Sequence, residues 1–164
     1  MEEIFRRASI RRFQDRPVER EKAELLFRAA MAAPSAANQR PWEFYAVTRR
    51  DTLEALSRCC RYSSYLAAAP LGIVVCYRRN CRSLPHAPID CSAAVENLLL
   101  EAVSLDLGAV WLGVAPVEEQ MEAVRRVLSL PEELEAFAFV ACGYPAEDRP
   151  RPDRYEPERV HWVD

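Results

Sequence analysis

The stretch RRASIRRFQDR, residues 6–16, sets Arg6, Arg7, Arg11, Arg12 and Arg16 around one hydroxyl, Ser9. In an extended backbone side chains repeat every second residue, so Arg7, Ser9 and Arg11 would project to one side. Two guanidinium forks flanking a hydroxyl form a clamp for an anion, and a phosphate suits it. The same composition also fits a solvated charged segment that holds nothing. A nucleic-acid partner fits poorly: the chain lacks interleaved basic and aromatic residues and its formal net charge is -3.

Two further stretches could meet a ligand. APSAANQRPW, residues 33–42, ends a helical pattern at Pro34 and offers Ser35 and Asn38 as short polar groups. Ala36 and Ala37 leave its backbone open to close approach. An ordinary helix-to-strand loop would read the same way. In GAVWLGV, residues 108–114, a glycine late in a short strand lets a flat ligand lie against backbone amides. The sequence holds no Walker loop, no H-E-x-x-H and no strand-linked G-x-G-x-x-G, and four glycines are few for a dinucleotide fold. His86 and His161 fall in loop-like segments and read as surface or packing residues. The six cysteines lack zinc spacing and read as reduced core thiols, so no metal site is expected.

Positioning these residues requires a scaffold, and 164 residues are enough for one core. Half of them are hydrophobic and 29% are charged, the balance of a soluble globular protein. No apolar leader or membrane span is legible, and a cytoplasmic location is expected. Apolar positions at Ala23, Leu26, Phe27, Ala30 and Ala33 predict an amphipathic helix over 19–33. Strands are predicted at 42–48, 71–77, 109–114 and 137–142, the second as a buried central strand. Asp51 is expected to cap a helix over 52–60 and Asp90 one running to about 107, ended by Gly108. The latter is apolar nearly all round, which suits a large core or a subunit interface. Another helix is expected over 117–128, opened by Pro116. Beyond Pro145, prolines alternate with charges, so this arm is expected to lie along another surface.

In order, R-x-S-x-R-x-F, an amphipathic helix, P-S-x-x-N leading to P-W, DCSAAVENLLLEAVSLDLGAVWLGV, GYPAEDRP and DRYEPERVHW resemble the FMN-dependent nitroreductase family over nearly the whole chain. The resemblance implies an α+β fold: a central, mainly antiparallel sheet flanked by helices in one domain, residues 1–164. Residues 145–164 would form an arm extending over the partner in a homodimer with two interfacial FMN sites. It further implies ping-pong reduction of a small-molecule electron acceptor (a nitroaromatic, quinone or enone) by NADH or NADPH. The flavin carries the chemistry, so no catalytic side chain is required. Under this resemblance Arg7 and Ser9 would hold the FMN phosphate and ribityl chain, and Arg11 would approach the pyrimidine edge of the ring. Pro34, Ser35, Ala36 and Asn38 would reach the partner's flavin. Leu112 and Gly113 would bring backbone amides near the reactive nitrogen, and Arg154 would contact the phosphate, with Arg159 a weaker candidate.

Three positions depart from the pattern: Arg40 stands where Gln is usual, Ala8 replaces a polar or basic neighbour of the clamp, and Pro152 replaces a basic residue. They predict weaker FMN retention. They also leave open a flavin carrier or sensor without NAD(P)H-driven turnover.

Overall fold

The computed structural model describes residues 2–163. Four strands, β1 (Trp42–Val47), β2 (Leu71–Arg78), β3 (Gly108–Gly113) and β4 (Leu134–Gly143), form one antiparallel sheet in the order β1-β2-β4-β3. The apolar run at β2 is continuous because this strand is interior and covered on both faces: Leu71, Ile73 and Val75 enter one core, Val74 and Cys76 the other. The β2–β4 register slips between Val75 and Cys76, a bulge that bends the sheet there.

Of the helices among the described residues, α1 (Glu3–Arg6), α2 (Arg20–Met31), α3 (Arg50–Ser57), α4 (Ala87–Ser104) and α5 (Glu118–Leu128), the last four flank the sheet and α1 contacts α4. Leu26 and Ala30 of α2 pack with Val95, Leu98 and Ala102 of α4 over one face. Leu53 and Leu56 of α3 and Val124 of α5 cover the other. Each fully buried leucine here contributes about 1.5–3 kcal/mol. The result is an α+β architecture with helices on both faces of an antiparallel sheet.

Three local expectations are corrected. Asp51 lies inside the first turn of α3, whose N-cap is Arg49, and caps nothing. Asp90 likewise lies inside α4, which starts at Ala87; its carboxylate is turned away to bind a distant loop. Gly108 does not end α4 but opens β3, because Asp106 takes the left-handed turn at φ 59°.

The stretch after α1 runs extended along the outer side of β3. Ser9 pairs in parallel with Ala109, the Ile10 amide donates to the Ala109 carbonyl at 3.0 Å, and Phe13 pairs with Pro145. Gly108 makes this approach possible, since a Cβ there would lie 2.7 Å from Ile10 Cβ. The first part of the arm returns over the same stretch, with the Ala146 amide donating to the Arg12 carbonyl at 2.9 Å. Residues 151–163 are exposed.

Candidate functional site

The extended stretch and the arm enclose a cavity of about 850 Å³. Arg7, Ser9 and Arg11 line it from one side and Arg154 from the other, joined by Arg149, Arg151 and Tyr155. Five arginines face it against one carboxylate, Asp153, and that carboxylate already accepts from the Tyr155 amide at 3.0 Å.

Neighbours hold these cations in place. Arg11 donates to the Ser9 carbonyl at 3.2 Å and lies over the Tyr65 ring, 5.6 Å from its centroid. Arg7 stands 3.7 Å from the Glu96 carboxylate on α4. Glu147 binds the two walls together: it accepts from the Arg11 amide at 2.7 Å and the Arg12 amide at 3.2 Å, and pairs with Arg149 at 3.0 Å. The Arg11 amide first, then Arg149, hold the Glu147 carboxyl below the usual carboxylate range. Arg151 donates to the Arg6 carbonyl at 2.6 Å and pairs with Asp148. Arg154 makes no ion pair among the described residues. Arg149 Nε is buried without a hydrogen-bond partner among them.

The other expected residues do not line this cavity. Leu112 is buried in the core, so only its backbone could serve a ligand, whereas Gly113 is exposed with nothing within 4 Å of where a Cβ would stand. Pro34, Ser35, Ala36 and Asn38 belong to a separate loop around the tight turn Ala36–Asn38. There the Ser35 hydroxyl oxygen accepts from the Arg40 amide at 2.9 Å, and the Ala36 amide donates to Asp90 at 2.8 Å. Pro34 and Asn38 are exposed. Arg149, Arg151, Tyr65, Glu147 and Asp90 had not been singled out as site residues. Their contacts join distant parts of the chain, and only the charge density of EDRPRPDRY hinted at the first two.

A second groove, of about 980 Å³, lies between α5 and the ends of β2 and β4. Tyr77, Met121 and Phe137 give it an apolar floor, with two arginines against four glutamates around it. Its Arg125 is consumed by Glu122 and Glu135 and by the carbonyls of Pro131 and Leu134. The buried thiols offer no nucleophile either: burial pushes Cys76 and Cys142 up to about 12.

The chain matches the nitroreductase family over residues 4–61 and 58–144, in keeping with its antiparallel sheet flanked by helices, and it belongs to this family of oxidoreductases. Among its relatives, a protein of Methanothermobacter thermautotrophicus provisionally named NADH dehydrogenase/NAD(P)H nitroreductase is 41% identical over 98% of this chain and 85% of its own length. A crystal structure from Parabacteroides distasonis with the same provisional name superposes with a TM-score of 0.95 at 39% identity, covering 99% and 96% of the two chains. A crystal structure of a provisionally named nitroreductase from Desulfovibrio desulfuricans in complex with FMN superposes with a TM-score of 0.85 at 31% identity, covering 99% and 95%. No helix among the described residues is long and apolar enough to cross a membrane.

Proposed function

We propose that this chain is an FMN-dependent oxidoreductase acting as a homodimer, which passes reducing equivalents from NADH or NADPH to an electron-poor small molecule such as a nitroaromatic, quinone or enone. The observation that carries the reading is the excess of arginine over carboxylate at one cavity, with the Arg154 side chain unpaired among the described residues. That donor set fits a phosphate monoester, whose oxygens accept forked guanidinium hydrogen bonds. The cavity volume lies within the range of small-molecule sites. An FMN complex of a 31% identical relative supports the same choice.

Arg7, Ser9 and Arg154 would hold the phosphate and ribityl chain. Arg11, fixed by Tyr65 and the Ser9 carbonyl, would set its positive charge beside the pyrimidine edge of the ring, where it favours the anionic reduced state. The backbone of Leu112 and Gly113 would border the ring, the open space at Gly113 leaving room for it. When bound, FMN would supply the hydride-transfer chemistry between the nicotinamide and the second substrate, with a ping-pong order expected. Pro34, Ser35, Ala36 and Asn38 would reach the flavin of the second subunit. Exposed Phe5, Ile89 and Trp162 support burial against that subunit. Six unpaired thiols suit a reducing cytoplasm.

The test is a visible spectrum of the purified protein, incubated with FMN and then given NADH or NADPH without oxygen. A flavin spectrum that bleaches with either nicotinamide is expected. A protein that takes up no flavin defeats the reading, and bound flavin that neither donor bleaches reduces it to a carrier.

A further inference from the structure

The loop expected to reach the second flavin is held by an unusual set of contacts. Ala37, Asn38 and Arg40 have φ of 49°, 53° and 43°. None is glycine, and residues with a Cβ avoid this left-handed region. A segment with three such residues keeps its shape only if surrounding contacts over-determine it.

Those contacts converge on Asp90, which is 5% exposed in the first turn of α4. One carboxylate oxygen accepts from the Ala36 amide at 2.8 Å and the other from the Gln39 side-chain amide at 2.6 Å. Gln39 in turn brackets Ser83: its Nε2 donates to the Ser83 carbonyl at 3.1 Å and its Oε1 accepts from the Ser83 amide at 2.7 Å. Arg78 closes the far end by donating to the Arg40 carbonyl at 2.6 Å.

The donor and acceptor pattern selects a carboxylate over an amide at residue 90. Both contacts at residue 90 are donors, so an isosteric amide there must turn its NH₂ against one of them. Flipping Gln39 to compensate moves the mismatch to Ser83, where both bonds reverse. Asp90 is also the acidic residue of the first turn of α4, a position the helix dipole favours for acidic side chains.

We infer that Asp90 is the positioning residue of the flavin site: through Gln39 and Ala36 it fixes the Ser35–Arg40 loop in the strained shape that reaches the second subunit's FMN. This rests on the flavin reading above. It makes Gln39 the residue whose amide anchors the loop, and leaves the exposed Arg40 side chain outside that network.

The test uses two differently tagged full-length chains, one Arg7→Ala and one Asp90→Asn, produced alone and together, the mixed dimer being purified through both tags and titrated with FMN. Each parent homodimer is expected to bind FMN roughly tenfold or more weakly than wild type. In the mixed dimer one site combines the intact Arg7 of one chain with the intact loop of the other, so one wild-type-affinity FMN per dimer is expected. A merely destabilised Asp90→Asn chain would spoil its own clamp as well and would not be complemented. Wild-type affinity in the Asp90→Asn homodimer overturns the assignment, as does a mixed dimer no better than its parents. A wild-type protein that binds no FMN overturns the flavin reading, and this inference with it. Gln39→Ala, at a half-buried position, enters the same scheme if Asp90→Asn fails to fold.

Discussion

The two cavities differ less in size than in what their charges have left to do. The groove beside α5 is the larger and has the better apolar floor, yet its Arg125 is already bound to two carboxylates and two carbonyls. Of the five arginines lining the cavity under the arm, Arg7, Arg149 and Arg151 also pair with carboxylates, whereas Arg11 and Arg154 make no ion pair among the described residues. A cation whose partners are all in the protein stabilises the fold, whereas one without them can hold an anion.

The most severe way to break the contrast is to remove the clamp from both walls. The double substitution Arg7→Ala, Arg154→Ala should weaken FMN binding roughly a hundredfold while the far-ultraviolet circular dichroism stays unchanged. Retained affinity by flavin fluorescence titration would show that the phosphate lies elsewhere. Gly108→Ala attacks the wall itself. Its new methyl would collide with Ile10 and displace the stretch carrying Ser9 and Arg11, so a loss of about 1–3 kcal/mol in urea unfolding should accompany weaker FMN binding.

The reverse pattern is expected at the other groove. Arg125→Ala should cost about 1–2 kcal/mol by stranding carbonyls of the α5–β4 turn, with FMN affinity untouched. A flavin defect there would erase the distinction between the cavities. The smallest effect is on pH. Because Glu147 has a folded-state pKa below its ordinary 4.5, its contribution is fully present above that value and is lost as pH falls through the lower one. Acid should therefore loosen the arm, and Glu147→Gln should flatten the acid limb of FMN retention measured between pH 3 and 6, ~pH values that bracket an ordinary carboxylate.

What the sequence disclosed was what neighbouring residues disclose about one another. Strand and helix periods located the sheet and its coverings, and the alternation of Arg7, Ser9 and Arg11 led to residues that line one cavity. Asp90 was misread because an acidic residue before an apolar run looks like a cap, and nothing local tells that its partners lie 54 and 51 positions away. The same holds for Glu147, which meets Arg11 across 136 positions. Arg40 stands out in the sequence as a departure from the family pattern, while the neighbouring Gln39 carries the hydrogen bonds.

The contact between Arg151 and the Arg6 carbonyl spans 145 positions. Closing so long a loop carries an entropic cost that local contacts do not. The arginine cavity therefore depends on a contact that joins the two ends of the chain. On the flavin reading, a chain truncated before the arm lacks Arg149, Arg151 and Arg154 from the cavity lining and is expected to stay colourless.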